Sequence, residues 1–281
     1  MFRKRRSPWV LFLLLVSLFL LYAAVNTHLV RVKTLSYPIE GLDPGLNGTR
    51  VLFLSDLKIK TERDARHAAR LLKRLCADKP DLLIIGGDLT EADGDLARSE
   101  RALNAFLDRT KELSCPGGMY IVYGDTDLLI GEDAVRRTHF TLLNNQQIKI
   151  NLRGGSLVLA GYSYSENAQV SRGFQFTDEG TGALIVVSHT PENGRLVPYR
   201  TGADKRPYAD LILCGHTLGG QIRLFGKSLL YTALNEAYPS EEADALGVPM
   251  LISRGIGTEK APFRLFTQPS AYYITLKTGG I

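Results

Sequence analysis

Five side chains able to bind a metal ion share one kind of address in this sequence. Asp56, Asp88, Asp125, His189 and His216 each follow a short apolar run, in SDLK (55–58), GGDL (86–89), GDTD (124–127), SHTP (188–191) and GHTL (215–218). Taken singly, each is a weak signal. An aspartate after a strand is more often a turn or helix cap than a ligand, and a lone histidine is more often hydrogen-bonded structure. Together they form a set of oxygen and nitrogen donors suited to Mn, Fe or Zn. Glycines beside them, as in Gly215, Gly219 and Gly220, let the backbone come close.

The runs that position these side chains read as buried strands: Arg50–Leu54, Asp81–Ile85, Tyr120–Tyr123, Leu184–Val187 and Leu211–Cys214. Between the first three, apolar residues recur at helical spacing. Ala65, Ala69, Leu72 and Cys76 predict a helix over Thr61–Asp78, and Leu96, Leu103, Phe106 and Leu107 predict a second. Gln147–Leu152 and Ser156–Gly161 flank Arg153-Gly154-Gly155 as a hairpin. Thr34–Tyr37 reads as a first edge strand, and Met250–Ser253 and Tyr272–Lys277 as later strands. Tyr162–Gly182 is polar and aperiodic, a surface loop or weak hairpin. The pattern predicts one α/β domain over residues 49–281, a two-sheet sandwich flanked by helices, after a connector at 26–48. In open α/β sheets, ligands bind at the carboxyl ends of strands, where the five residues stand.

The N-terminus differs in texture. Arg3, Lys4, Arg5 and Arg6 precede an uncharged run from Trp9 to Val25, about the ~17-residue minimum for crossing a bilayer. A cleaved signal peptide would have a shorter apolar core and a better small-residue site than Ala23-Ala24-Val25. Residues 1–25 are therefore expected to be a basic segment and an uncleaved transmembrane anchor. The positive-inside rule keeps the basic end in the cytoplasm and puts the domain on the extracytoplasmic side.

The chain has 281 residues, 44% hydrophobic and 22% charged, an ordinary globular balance. Of its formal charge of +5, four belong to residues 3–6, leaving +1 for the rest. No basic stripe with interleaved aromatics remains, so nucleic acid is not an expected partner. Cys76, Cys115 and Cys214 show no metal-type spacing and, being odd in number, make no complete disulfide framework; they read as small buried apolar residues. The sequence gives no sign of oligomeric state.

On these motifs the chain resembles the calcineurin-like metallophosphoesterases, and most of all their small membrane-associated bacterial branch. The resemblance covers about residues 50–277, including the closing segment LISRGIGTEKAPFRLF (251–266). The family pattern runs Asp-x-His, Gly-Asp, Gly-Asn-His-Asp/Glu, a lone His and Gly-His-x-His, and in that branch the last motif reads GHTHGGQ, here GHTLGGQ. The resemblance implies two metals about 3.5–4 Å apart that polarise a phosphoryl group and activate a hydroxide. One ion would belong to Asp56, Lys58, Asp88 and Leu218, and two of those four cannot ligate: a protonated lysine and a leucine have no lone pair to give. The other would belong to Asp88, Asp125, His189 and His216, all able to bind, with Asp125 where the family has asparagine. The family's catalytic histidine falls at Thr126.

The resemblance thus implies one divalent ion (Mn, Fe or Zn), with Asp56 as a further candidate ligand, and a second metal site lost. Lys58 has two readings. Its ammonium could fill the vacated position and neutralise Asp56 or a bound phosphate oxygen, making it a candidate substrate-binding residue, or it could simply pair with Asp56. The expected function is a membrane-anchored protein that binds a phosphoester with hydrolysis reduced or lost. The alternative is an active single-metal phosphodiesterase or phosphatase acting on a cell-envelope or lipid-linked phosphoester. A purely structural anchor would have no reason to keep Asp88, His189 and His216.

Overall fold

A computed structural model of the protein describes residues 8–91, 94–129, 133–136, 138–162, 183–197, 209–230 and 232–279. The apolar N-terminal run forms helix α1 (Pro8–His28), followed by strands β1 (Arg31–Ile39) and β2 (Arg50–Leu54), helix α2 (Glu62–Cys76), β3 (Leu82–Gly86), α3 (Leu96–Thr110) and β4 (Met119–Val122). A helical turn α4 (Asp133–Arg136) leads to β5 (Thr141–Leu142) and the hairpin β6 (Gln146–Leu152) and β7 (Gly155–Tyr162). Next come β8 (Leu184–Ser188), the turn α5 (Pro191–Gly194), β9 (Leu211–Cys214) and a small hairpin, β10 (Arg223–Leu224) and β11 (Lys227–Ser228). The turn α6 (Thr232–Ala237), β12 (Glu242–Ala245), β13 (Val248–Ile252) and β14 (Ser270–Thr278) complete the described elements.

Among the described residues there are two six-stranded sheets, ordered β1-β14-β2-β3-β4-β5 and β12-β13-β9-β8-β7-β6. Strands β2, β3 and β4 are parallel neighbours, as are β7, β8, β9 and β13. Strand alternation sorts their side chains between two faces. Val51, Phe53, Leu82 and Ile84 meet Ile185, Val187, Leu211 and Leu213 in the core between the sheets. Leu52, Leu54, Leu83 and Ile85 instead pack under Ala65, Ala69 and Leu72 of α2 and Leu103 and Phe106 of α3. Ile212, Cys214, Met250 and Ile252 form a third cluster beyond the second sheet. Strands buried on both faces read as unbroken apolar runs, which is why the sequence locates them.

Helix α2 starts on a capping box: the Thr61 side chain accepts from the Asp64 amide, and Asp64 accepts from the Thr61 amide. Strand β1 is longer than the four residues expected within 26–48; it pairs in parallel with β14 along all nine. Its exposure alternates, as on an edge strand, so it lacks the apolar run that marks its neighbours. The Tyr162–Gly182 loop expected from sequence lies, past Tyr162, outside the described residues.

Candidate metal centre

The five sequence candidates meet at the carboxyl ends of β2, β3, β4, β8 and β9, four of them in one cluster. Asp88, Asp125, His189 and His216 each offer a ligand atom within 4.8 Å of the others. His189 Nε2 lies 3.3 Å from Asp88 Oδ2, 3.2 Å from Asp125 Oδ1 and 3.2 Å from His216 Nδ1; His216 Nδ1 is 3.4 Å from Asp125 Oδ1. Donors sharing one tetrahedral ion at bonds of 2.0–2.2 Å would stand ~3.3–3.6 Å apart. Asp88 Oδ2 and Asp125 Oδ1 are buried carboxylate oxygens turned towards the imidazoles, and Asp88 Oδ2 also meets the Lys58 ammonium. Two carboxylate oxygens facing two imidazole nitrogens are a donor set that fits a divalent cation.

The backbone builds this cluster at a cost. Asp56, Lys58, Asp88, His216 and Leu218 all take positive φ, between 49° and 68°. Such conformations cost of order 1–3 kcal/mol each for non-glycine residues and gather at functional sites. Glycines make the room. A Cβ on Gly124 would lie 2.1 Å from Asp88 Oδ1, and one on Gly87 2.4 Å from His189 Nδ1. His189 Nδ1–H donates to the Gly86 carbonyl at 2.8 Å, which fixes the tautomer and leaves Nε2 free to bind a metal.

The charges are tightly matched. Burial pushes the Asp88 carboxyl up, but His189 and Lys58 together hold it down to about 2. Burial likewise raises Asp125, and hydrogen bonds with His189 and His216 hold it well below the usual range. Burial lowers His189, yet Asp88 and Asp125 raise it well above the ordinary imidazole value. The carboxylates and the imidazole thus favour each other's charged forms.

Asp56 stands apart from the quartet. Its carboxylate accepts from Ser55 Oγ at 2.5 Å and from the His216 amide at 3.2 Å, tying the β2 end to the GHTL loop. Burial is the main influence raising its pKa. Lys58 does not pair with Asp56 by direct contact, as one reading of the sequence had it. Its Nζ lies 2.6 Å from Asp88 Oδ2, 3.0 Å from Glu91 Oε2 and 2.9 Å from Glu259 Oε2, with 1% of the side chain exposed. Burial alone would lower its pKa, but Asp88, Glu259, Glu91 and Asp56 hold it well above the ordinary value.

Thr126 also faces inward. Its hydroxyl has two acceptors in reach, the Thr90 carbonyl at 2.6 Å and Asp88 Oδ1 at 3.0 Å, and Asp88 Oδ1 also accepts the Thr126 amide at 3.2 Å. Leu218 is fully buried, and its carbonyl accepts from Arg264 Nη1 at 3.0 Å.

Four participants were not found by sequence reasoning. Glu91 and Glu259 face Lys58. Asp127 accepts from the Thr90 and Gly124 amides at 3.1 and 3.0 Å, and burial beside Asp88 raises it to about 6. Arg264, fully buried, also reaches the Gly257 carbonyl through Nε and Nη2. Glu91 and Asp127 lie within three residues of predicted ligands, a signal that was available; Glu259 and Arg264 are placed by the fold.

The profile of the calcineurin-like phosphoesterases matches residues 49–220, more than half of the chain. The chain belongs to this family. Calcineurin-like phosphoesterases use divalent metal, and the quartet could hold one such ion. An uncharacterized metallophosphoesterase of Aquifex aeolicus is 27% identical over 274 residues, covering 92% of this chain and 96% of its own. A transmembrane protein with metallophosphoesterase domain from Danio rerio is 23% identical, covering 95% of this chain and 62% of its own. Among solved structures, TT1561 of Thermus thermophilus aligns with 74% of this chain and 90% of its own at 14% identity, with a TM-score of 0.45. Helix α1 is, by length and composition, able to cross a membrane.

Proposed function

We propose that this calcineurin-like phosphoesterase is a single-pass membrane protein whose extracytoplasmic domain binds a phosphoester and one divalent ion, with hydrolysis reduced or lost. The ion would be held by Asp88, Asp125, His189 and His216, and when bound would polarise a phosphoryl oxygen. The observation carrying this reading is the position of Lys58. Its ammonium sits against Asp88, on the side where the family resemblance puts the second ion, and is neutralised by three carboxylates. Lys58 then acts as a fixed internal cation, and it can reach a substrate phosphate only by giving up Asp88, Glu91 or Glu259. Thr126 is the second support: at the family's acid position it offers a hydroxyl already committed to Thr90 and Asp88, and a hydroxyl cannot act as a general acid near neutral pH.

The alternative is a single-metal phosphodiesterase or phosphatase acting on an envelope or lipid-linked phosphoester. It is favoured by the completeness of the quartet and by Lys58 supplying the second positive charge next to Asp88. Elemental analysis and turnover of bis(p-nitrophenyl) phosphate with Mn or Zn separate the two. The proposal expects at most one ion per chain and little or no turnover. Two tightly bound ions would overturn it, and so would robust metal-dependent turnover abolished by His189→Ala. In the second case, additional loss in Lys58→Ala would establish the single-metal enzyme.

A further inference from the structure

The carboxyl end of α1 is built into the domain. Asn26 Nδ2 donates to the carbonyls of Arg264 and Thr267 at 3.2 and 3.4 Å, and Thr27 Oγ1 accepts from the Arg264 amide at 2.7 Å. Between those two carbonyls the chain makes a turn whose tip is Phe266, at φ 54° and 56% exposed. The Phe266 ring lies against Tyr22, with centroids 5.5 Å apart. From Arg264 to Phe266 the domain therefore runs down α1 from Thr27 to Tyr22, five residues or about 7.5 Å towards the N-terminal end. Tyr22 belongs to the apolar run Trp9–Val25. If that run is in the bilayer, Phe266 is at the bilayer too.

A second turn follows the same course. Ile222 bridges Leu265 in parallel, and the Arg223 amide donates to the Leu265 carbonyl at 2.9 Å. Strand β10 thus heads the same way as the Arg264–Phe266 segment, and its hairpin turns on Phe225 and Gly226 at φ 50° and 80°. Phe225 is fully exposed at the tip, and Leu229 is 54% exposed behind it. Arg223 and Lys227 flank the tip, and from Gly215 to Asn235 there is no acidic residue. An exposed aromatic flanked by cations suits the interface of a membrane bearing anionic lipid.

We propose that Phe266 and the Phe225 hairpin form a second membrane contact, set in the interfacial layer of the bilayer beside α1. This rests on α1 being a membrane anchor. Its consequence is a fixed seat: β10 begins five residues after Leu218, so the loop carrying His216 is held next to the lipid surface.

Trp9 is the chain's one tryptophan, so single-tryptophan reporters are direct. Full-length wild type, Trp9→Phe/Phe225→Trp, Trp9→Phe/Phe266→Trp and Trp9→Phe/Leu246→Trp are reconstituted in phosphatidylcholine–phosphatidylglycerol vesicles with and without brominated acyl chains. Leu246 is an exposed turn residue before β13, at the sheet end opposite the strand termini that carry the site. Tryptophans at 225 and 266 are expected to emit to the blue of the Leu246→Trp reporter and to lose intensity with brominated lipid, while that reporter does neither. If Trp9 is quenched but the 225 and 266 reporters match the 246 control, the second contact is overturned and the anchor stands. If Trp9 itself is unquenched, the anchor fails and the proposed contact falls with it.

Discussion

Asp88 divides the centre into two sides that share one scaffold and differ in how they are satisfied. On one side, Asp125, His189 and His216 bring together three potential ligand atoms at mutual distances of 3.2–3.4 Å, with no lysine or arginine among them. On the other, the Lys58 ammonium is part of the chain and is enclosed by Asp88, Glu91 and Glu259 at 2.6–3.0 Å. Each side has a residue held at positive φ after a strand, His216 on one and Lys58 on the other, and Asp88 between them shares that geometry. A carboxylate-rich strand-end site needs positive charge: Lys58 meets the need on one side, and a bound ion would meet it on the other.

The largest effect is expected from breaking the lysine side. Lys58→Ala strands three carboxylates, and removing one partner of a buried pair costs about 3–5 kcal/mol. Urea unfolding with chelator present should show that loss. Excess Mn should recover much of it, with elemental analysis rising from one ion to two. A destabilisation that Mn leaves untouched would mean that the lysine pocket has no capacity for a divalent ion.

Breaking the other side is expected to remove the ion while leaving Lys58 in place. His189→Ala deletes both a ligand and the hydrogen bond to Gly86, and loss of outer-shell support alone costs metal affinity about 10–100-fold. Equilibrium dialysis should therefore find no bound ion at concentrations that saturate the wild type. An undiminished metal content in His216→Ala would refute the quartet.

Thr126→Val tests the residue that steadies the shared carboxylate. Losing one hydrogen bond to a buried group is expected to cost about 1 kcal/mol and to weaken metal binding about tenfold, measurable by the same dialysis. A change in turnover without a change in affinity would instead return Thr126 to a role in the chemistry.

The smallest expected effect lies outside the centre, at Glu241, and provides a contrast in pH. Burial raises this carboxyl, but Lys33, Arg254 and Tyr272 hold it below its usual 4.5. A depressed folded pKa means stability that is present above 4.5 and lost as pH falls through the folded value. Glu241→Gln should melt lower than wild type at neutral pH, and the gap should close as pH drops below 4.5.

How much of this was legible in the sequence follows from the kind of interaction. Strands β2, β3, β4, β8 and β9 announce themselves because both faces are buried, and the quartet because each member stands just after such a strand. The partners of Lys58 were hidden for a geometric reason: Glu259 is 201 residues away, and nothing local says which carboxylate a lysine will meet. Thr126 could be aligned with a family position, but the direction of its hydroxyl depends on where Thr90 ends up. The alternating edge strand β1 gave only its central residues, since half of its side chains face solvent.

Arg264 has a consequence for how the protein assembles. Its amide is held by Thr27, while its guanidinium spans the carbonyls of Leu218 and Gly257. Gly257 in turn donates its amide to the Asp56 carbonyl at 2.7 Å. A buried guanidinium is costly unless it is hydrogen-bonded, so each of these segments is stabilised by the presence of the others. The seating of the first helix and the closing of the centre's loops are thus energetically coupled through one side chain.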